Sequence, residues 1–344
     1  MPETTNFGAQ DSSPLGPIGG GEGYTGENPR WDHYVSCREE LHAALLLAEP
    51  GEVVYIADNT EIDMTVWVRA RAEKIVIPTG VTLTSNRGRN GSDGALIISE
   101  EFDTRPLILA EGANVRISGL QLRGPDQRVR HEELMHLNEN PDITHDSAGY
   151  YSFPASTGIE TESPGLIVDN CHIWGWGNTA ISLLPSAIDA HVHHCDIHHC
   201  QRAGLGYGVL LHGATALIEY NRFDLTRHAI AGSGIPGTAY EARYNVCGQR
   251  STSHCFDMHG SEENNVTVDG KSIAGEWIRI HHNTFNAIDQ PAIGIRAEAR
   301  EECDIHHNWF IHPSPETAII EHDGAAGTLK VHDNVYGPGQ EKMD

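Results

Sequence analysis

The chain has 344 residues, and its 48 acidic side chains against 23 Lys and Arg give a formal charge of -25 at pH 7. This charge argues against a nucleic-acid-binding protein, because phosphate backbones are held by clustered Lys and Arg. With 39% hydrophobic and 21% charged residues, and no apolar run of 18 residues, the composition excludes a disordered or membrane-spanning chain. The 36 glycines favour a turn-rich β architecture in one large domain.

The amino-terminal segment predicts an arm followed by a helix. Residues 1–30 are rich in Gly, Pro, Ser and Thr, and we expect them to be extended on the surface or disordered. Ser36 and Glu39 have the spacing of a capping box at a helix start. The apolar stripe expected on that helix is Leu41, Ala44, Leu45 and Ala48.

An internal repeat of about 25 residues dominates the second half of the chain. In each copy an apolar residue is followed three positions later by Asn or Cys, and a bulky apolar residue comes two positions after that. The Asn or Cys positions are Cys171, Cys195, Asn221, Asn245, Asn283, Asn308 and Asn334. A second apolar run follows each of the first six, so every repeat supplies two or more short strands and no helix.

This pattern predicts an all-β fold, a right-handed parallel β-helix over residues 31–340 with insertions at about 125–164 and 262–275. Equivalent residues of stacked coils lie about 4.8 Å apart and form columns. The apolar column from Val168 to Val331 is expected to face the core, which turns the next column outward. That polar column is Asp169, His193, Glu219, Arg243, His281, His306 and His332. In each His-His pair we expect one ring to face outward and the other inward.

The segment 41–56 and the runs 114–124 and 192–195 resemble the capping helix, first strand and coil-forming strands of the pectate-lyase-like β-helix superfamily. The resemblance covers about residues 36–336. It implies a single-stranded right-handed parallel β-helix with an N-terminal capping helix, a polysaccharide substrate and chemistry on an exterior strand face. It also implies an extracellular or secreted protein, although the amino terminus lacks the charged and apolar runs of a signal peptide.

The leading functional prediction is a polysaccharide lyase that cleaves a uronate-containing polymer by β-elimination. In that reaction a base removes the C5 proton while a cation neutralises the neighbouring carboxylate. Most candidates come from the dense stretch between His228 and Gly260. The predicted catalytic residues are His228, Arg243, His259 and Glu241.

Substrate and cofactor contacts are predicted on the same basis. The predicted substrate-binding residues are His212, Arg227, Tyr240, Arg296, Tyr150 and Tyr151, with tyrosines stacking on sugar rings and arginines meeting carboxylates. Calcium is the candidate cofactor, with Asp169, Glu219 and Asp257 as its oxygen ligands. The alternative is a transition metal at His212, Asp257 and His259.

Two other functions stay open. The superfamily includes uronate lyases, glycoside hydrolases, epimerases, phage tailspikes and adhesins, so the fold does not fix the reaction. A glycoside hydrolase would draw its two carboxylates from Glu219, Glu241 and Asp257. A non-catalytic carbohydrate-binding, tailspike or adhesin module is the alternative from another class. An acidic protein that binds an anionic polymer needs a local cationic patch, which we expect from Arg227, Arg243, Arg296 and Arg300.

Overall fold

Thirty short strands form three parallel sheets in the computed structural model, which describes residues 6–26, 30–140, 154–321 and 327–338. Sheet A contains β1 (His33–Val35), β2 (Val53–Ile56), β5 (Thr82–Thr84), β8 (Arg116–Ser118), β11 (Ile167–Asp169), β14 (Ala190–His193), β17 (Thr215–Glu219), β20 (Ala239–Arg243), β23 (Trp277–His281), β26 (Glu302–His306) and β29 (Leu329–His332). Sheet B contains β3 (Glu61–Asp63), β6 (Leu96–Ile98), β9 (Gln121–Arg123), β12 (His172–Trp174), β15 (Asp196–Cys200), β18 (Arg222–Thr226), β21 (Val246–Cys247), β24 (Thr284–Phe285), β27 (Trp309–Phe310) and β30 (Val335–Tyr336). Sheet C contains β4 (Ile75–Ile77), β7 (Ile108–Ala110), β10 (Thr157–Thr161), β13 (Thr179–Leu183), β16 (Tyr207–Leu211), β19 (His228–Gly232), β22 (Phe256–Met258), β25 (Ile293–Ile295) and β28 (Ile319–Glu321).

From β10 onward the chain visits the sheets in the repeating order C, A, B, and each strand pairs in parallel with the equivalent strand of the next coil. This arrangement confirms the predicted right-handed parallel β-helix. The helices are α1 (Arg38–Leu47), α2 (Thr65–Arg71), α3 (His131–Glu139), α4 (Pro315–Ala318) and the 3₁₀ helix Ser261–Asn264. No helix in the described part of the chain has the length and apolar character needed to cross a membrane.

Helix α1 covers the N-terminal end of the core with Leu41, Ala44 and Leu45, as its apolar stripe predicts. The predicted capping box is wrong. The helix begins at Arg38, which puts Glu40 rather than Glu39 at the third helical position. The Glu40 carboxylate accepts hydrogen bonds from the backbone amide and hydroxyl of Ser36.

Within the repeat, each turn between sheets A and B contains one residue in the left-handed conformation. The Asn or Cys of the repeat follows it directly. The left-handed residues have φ between 48° and 55° and are Asn170, His194, Tyr220, Tyr244, His282, His307 and Asp333. The next residue is buried in all of these turns except the last, that of Asn334, and the asparagines bond from coil to coil. Asn245, for example, accepts from the backbone amide and side-chain amide of Asn221 and donates to Asn283.

In the His-His pairs 193–194, 281–282 and 306–307 the second histidine does not face the core as predicted, because it is the left-handed residue of the turn and its ring joins an aromatic column. The pair 198–199 lies within β15 of sheet B. In the aromatic column His194 stacks on Tyr220, and His282 stacks on His307, at centroid distances of 5.0 and 5.1 Å. Residues 6–26 lie along the column, where Gly19 donates to the carbonyl of Tyr220.

The apolar column faces the core from Val168 to Ile305, whose side chains are completely buried. Its last member, Val331, lies in register with the buried Ile305 but is 39% exposed. Val331 lies in the last strand of sheet A, and within the described residues no further strand of that sheet covers it.

We expect Asn245→Ala to lower the free energy of unfolding by at least about 2 kcal/mol, because two donors of Asn221 lose their buried acceptor. Denaturant unfolding of the purified protein measures the change. Thr267→Ala, at an exposed position of the 262–275 insertion, is the control and should leave the midpoint unchanged. Equal midpoints for the two variants would contradict a stabilising role for the asparagine ladder.

Candidate functional site

The predicted site residues are divided between two exterior faces of the β-helix. Four belong to sheet A: Asp169, Glu219, Glu241 and Arg243. The others that face outward belong to sheet C or to its edges: His212, Arg227, His228, Asp257, His259 and Arg296. The structure therefore does not bring Arg243 and Glu241 together with His228 and His259 in one catalytic group, as predicted.

On sheet A, Arg243 joins two carboxylates of neighbouring strands. Its Nε donates to Glu219 Oε2 at 2.7 Å, and its Nη1 donates to Glu241 Oε1 at 2.8 Å. His191 Nε2 lies 3.0 Å from the other oxygen of Glu219, and His281 Nε2 lies 3.3 Å from Glu241 Oε1. Burial by itself raises the pKa of the Glu219 carboxyl, but these hydrogen bonds and the guanidinium charge lower it to about 2.

The predicted calcium site is not formed. Asp169 is completely buried, and its two oxygens are taken by Arg116, at 2.7 and 2.9 Å, and by the hydroxyls of Ser118 and Tyr24. Glu219, two coils further along the same sheet, is already bonded, and Asp257 lies on sheet C. Three carboxylates on two faces cannot share one ion.

Of the three tyrosines predicted to bind substrate, the structure describes Tyr240. Tyr240 is completely buried in the core, so its prediction as a substrate-binding residue is wrong. The alternation of β20 that turns Glu241 outward turns Tyr240 inward. Tyr150 and Tyr151 lie outside the described residues.

On sheet C, six side chains from three successive coils and the 262–275 insertion contact one another. We call them the Asp257 cluster, and its members are His228, His254, Asp257, His259, Glu263 and Arg296. The centre is the Asp257 carboxylate, which is completely buried. Arg296 donates to it through Nε, 3.1 Å from Oδ1, and through Nη2, 2.6 Å from Oδ2.

Three imidazoles surround the same carboxylate. His254 Nδ1 lies 3.2 Å from Oδ1, while His228 Nε2 and His259 Nε2 lie 3.2 and 2.9 Å from Oδ2. The second nitrogen of each of two rings also has a partner. His228 Nδ1 lies 2.6 Å from the backbone carbonyl of His254, and His259 Nδ1 lies 2.8 Å from Glu263 Oε2.

Local structure explains how these groups meet. Phe256 of β22 faces the core, so its neighbour Asp257 faces outward, and β19 and β25 flank it at about 4.8 Å. The residue opposite Asp257 on β25 is Gly294. A Cβ at Gly294 would lie 2.4 Å from His254 Nδ1, so only glycine leaves room for this imidazole.

The buried charge of the cluster is balanced by its neighbours. Burial by itself raises the pKa of the Asp257 carboxyl, but the surrounding imidazoles, first that of His228, hold it well below its usual range. Burial also lowers the pKa of His228 well below its usual range, and the nearby charge of Arg227 acts in the same direction.

Two corrections follow for the predicted residues. His228 is completely buried, so it cannot act as a base that touches substrate. His212 is not part of the Asp257 cluster, because its backbone pairs with Leu183 and the coil of Ser233 separates it from His259. The predicted metal set of His212, Asp257 and His259 is therefore wrong, and His228 takes the place of His212.

Two members of the cluster were missed by the sequence prediction. His254 precedes Asp257 by three residues, and Glu263 follows His259 by four within the 3₁₀ helix Ser261–Asn264. The spacing of His254, Asp257 and His259 was visible in the sequence, but neither His254 nor Glu263 occupies a column of the repeat.

The expected arginine patch is not formed. Arg243 lies on sheet A, and Arg300 pairs with Glu276 beyond the edge of sheet C. Arg296 is held by Asp257 and Glu263. Arg227 stays at the edge of the cluster, with its guanidinium 5.9 Å from the centre of the Tyr207 ring.

Two cavities lie away from the Asp257 cluster. One of about 390 Å³ lies beneath α1, lined by Leu41, Leu45 and Met64. Another of about 340 Å³ lies on sheet A, lined by Glu241, Arg243 and Trp277. We favour the Asp257 cluster as the functional site because buried polar groups of mixed charge converge there.

We expect Glu219→Gln to lower the free energy of unfolding at pH 7, because Arg243 and His191 lose an ionised partner. The pKa of Glu219 is depressed from 4.5 to about 2 in the folded state, so its stabilisation is present above pH 4.5 and is lost as the pH falls towards 2. Chemical unfolding between pH 7 and pH 2 should therefore show the two curves converging in acid. Glu302→Gln, in the exposed pair with Arg279, is the control and should have a small effect at every pH.

Comparison with known proteins supports the fold. No protein-family model and no curated protein matches the chain. Among solved structures, an alginate lyase from Paenibacillus sp. str. FPU-7 is similar, with a TM-score of 0.59, 14% identity and coverage of 89% of this chain and 97% of that chain. A Family 28 exopolygalacturonase from Yersinia enterocolitica has a TM-score of 0.42 at 11% identity, over 87% of this chain and 74% of that chain. A GH136 lacto-N-biosidase from Eubacterium ramulus has a TM-score of 0.41 at 14% identity, over 83% of this chain and 49% of that chain. The chain therefore has a right-handed parallel β-helix fold, similar to that of the alginate lyase.

Proposed function

We propose that the protein is a carbohydrate-active enzyme that cleaves a uronate-containing polysaccharide by β-elimination at the Asp257 cluster. The observation that carries this proposal is the pair formed by His254 and Asp257 on the exterior face of sheet C. The alginate lyase that shares the fold acts, by its name, on a uronate polymer, so the fold accommodates such a reaction.

His254 is the proposed base. Its Nδ1–H donates to Asp257 Oδ1, 3.2 Å away, which leaves Nε2 as an unprotonated acceptor. Its side chain is 13% exposed, whereas that of His228 is completely buried, so His254 is accessible from the face and His228 is not. Asp257 acts through His254 as a positioning residue, since it holds the orientation of the ring.

Arg227 is the proposed partner of the uronate carboxylate. Its backbone amide is anchored to the carbonyls of Cys200 and Gly206, and its Nη1 lies 3.4 Å from the Tyr207 hydroxyl. Within the described residues this guanidinium forms no ion pair with a carboxylate, unlike that of Arg296. A carboxylate bound there would gain a charge-assisted hydrogen bond, and negative charge that develops at C5 would be stabilised.

In the proposed reaction His254 Nε2 takes the C5 proton of the uronate. The electron pair of the C5–H bond forms the C4–C5 double bond, and the bond between C4 and the bridging oxygen breaks. Water supplies the proton to that oxygen. The products are a saturated end on one fragment and an unsaturated uronate on the other.

Hydrolysis fits the cluster less well. It requires two carboxylates that flank the glycosidic bond. Asp257 is completely buried and already bonded by Arg296 and His254, so of the two carboxylates only Glu263 reaches the surface. Glu219 and Glu241 on sheet A are the candidate pair for a hydrolase. Arg243, however, donates a hydrogen bond to Oε2 of Glu219 and to Oε1 of Glu241.

We expect turnover on uronate polymers to produce an unsaturated product that absorbs in the ultraviolet. His254→Gln keeps a donor to Asp257 but removes the base, so kcat should fall roughly 10²- to 10⁴-fold with little change in the unfolding midpoint. A panel of uronate and neutral polysaccharides, read both by absorbance and by reducing ends, provides the measurement. Reducing ends without ultraviolet absorbance, lost in Glu241→Gln but not in His254→Gln, would replace the elimination with hydrolysis on sheet A.

Arg227→Ala should raise KM for the uronate substrate roughly ten- to hundred-fold, because a charge-assisted contact is lost. Arg279→Ala on sheet A is the matched control and should leave KM unchanged, since that exposed arginine pairs with Glu302 away from the cluster. Equal kinetics for both variants would remove Arg227 from the substrate site.

Gly294→Ala should lower kcat without unfolding the protein, because its Cβ would displace the His254 ring and approach Asp257 Oδ1 to 3.0 Å. Steady-state kinetics together with thermal unfolding separate these effects. Unchanged kinetics in a folded variant would show that the position of His254 does not matter for turnover.

A further inference from the structure

Three donor atoms from two neighbouring strands and their flanks converge on one point of sheet C. His228 Nε2, Asp257 Oδ2 and His259 Nε2 all lie within 4.8 Å of one another. The carboxylate oxygen is 3.2 Å from the first nitrogen and 2.9 Å from the second. Donors that bind one zinc ion at about 2.0–2.2 Å lie about 3 to 3.5 Å apart, so the three atoms already have nearly the spacing of ligands.

Both imidazoles are held by their other nitrogen. His228 Nδ1 lies 2.6 Å from the backbone carbonyl of His254, and His259 Nδ1 lies 2.8 Å from Glu263 Oε2. An imidazole that donates from Nδ1 keeps Nε2 as a lone pair, and metal-bound histidines are oriented by such a carbonyl or carboxylate. The arrangement therefore directs two lone pairs at the same carboxylate oxygen.

Within the cluster, His228 Nε2 is a buried nitrogen without a hydrogen-bond partner. The side chain is completely buried, and this nitrogen has no hydrogen-bond partner although it lies 3.2 Å from Asp257 Oδ2. A lone pair that faces a carboxylate oxygen without an intervening proton is unfavourable in a buried site. A cation between the two atoms would satisfy both.

The charges of the cluster leave room for such a cation. Two carboxylates, Asp257 and Glu263, face one guanidinium, Arg296, and the imidazoles are neutral when they act as ligands. The net charge is then about -1, and a divalent ion makes it about +1. Arg296 donates to both oxygens of Asp257, so it fixes the carboxylate while leaving the side of Oδ2 that faces the two histidines.

We propose that His228, Asp257 and His259 bind one divalent transition-metal ion of the zinc type. Two imidazoles and one carboxylate are ligands for zinc and its neighbours, whereas calcium prefers oxygen ligands only. The His259 side chain is 18% exposed, so one of the three ligands reaches the surface of sheet C. Glu263 and the carbonyl of His254 hold the two ligand rings in place.

The metal site does not depend on the proposed function, but it would add to that function if both are correct. An ion beside His254 would place positive charge next to the proposed base and would attract the carboxylate of a uronate. The ion would supply positive charge for an anionic substrate in an acidic protein, where most of the arginines expected to bind that substrate are paired with carboxylates. The two proposals fail separately, because metal binding is measured without substrate.

The test is titration of the full-length chain, first stripped of metal with a chelator, with Zn²⁺ by calorimetry and with Co²⁺ by visible absorption. We expect one equivalent to bind and Co²⁺ to give the spectrum of a site with nitrogen and oxygen ligands. His259→Ala should remove this binding, and Glu263→Ala should weaken it about 10- to 100-fold because the ring loses its orienting acceptor. Circular dichroism checks that each variant is folded.

Matched controls separate this site from the other histidines of the chain. His212→Ala removes an imidazole two coils away on the same face, and His198→Ala disrupts the group of His172, Asp196 and His198 on sheet B. Both variants should bind the first equivalent with unchanged affinity.

Three results would overturn the proposal: no stoichiometric binding by the wild-type chain, unchanged affinity in folded His259→Ala, or loss of binding in His198→Ala alone. Stoichiometric binding by a protein that turns over no polysaccharide would support the metal site and remove the proposed function. Turnover by a protein that binds no metal would do the reverse.

Discussion

The turns between sheets A and B in the repeat hold the coils in register. Each has a left-handed residue followed by Asn or Cys, and the side chain of that Asn or Cys is buried in every turn but the last. From Asn221 to Asn334 the amides bond to one another, so each coil is fixed to the next by side chains as well as by strands. Without this fixed register the columns on the three sheets would not align.

Register explains why distant residues become neighbours. A residue on one strand meets its equivalents about 4.8 Å away on the adjacent coils, so chemistry concentrates in columns that run along the helix. The Asp257 cluster collects its side chains from β19 and β22, from residues that flank β22 and β25, and from the insertion that follows β22. On sheet A the same principle joins Glu219 and Glu241 to Arg243.

The charge of -25 acquires a more specific meaning from this arrangement. The arginines expected to bind an anionic polymer are mostly tied to carboxylates, which leaves Arg227 beside the cluster without an ion-pair partner in the described part of the chain. An acidic shell repels a polyuronate at long range, so short-range positive charge must supply the attraction. Arg227 and the proposed metal ion both lie at the Asp257 cluster, where that charge is needed.

The amino-acid sequence by itself determined the β-helix, the inward apolar column, the Asn and Cys positions of the repeat and the stretch that contains Asp257 and His259. These features follow from a repeat whose period equals one coil, and a periodic pattern is local information. Only the tertiary structure decided that Arg243 and Glu241 lie on another face, that His228 replaces His212 and that Tyr240 is in the core. It also supplied His254 and Glu263, because non-repeating turns set their positions. The physical reason is that column membership follows from spacing, whereas which sheet a strand joins, and which loop folds over it, depends on contacts between coils.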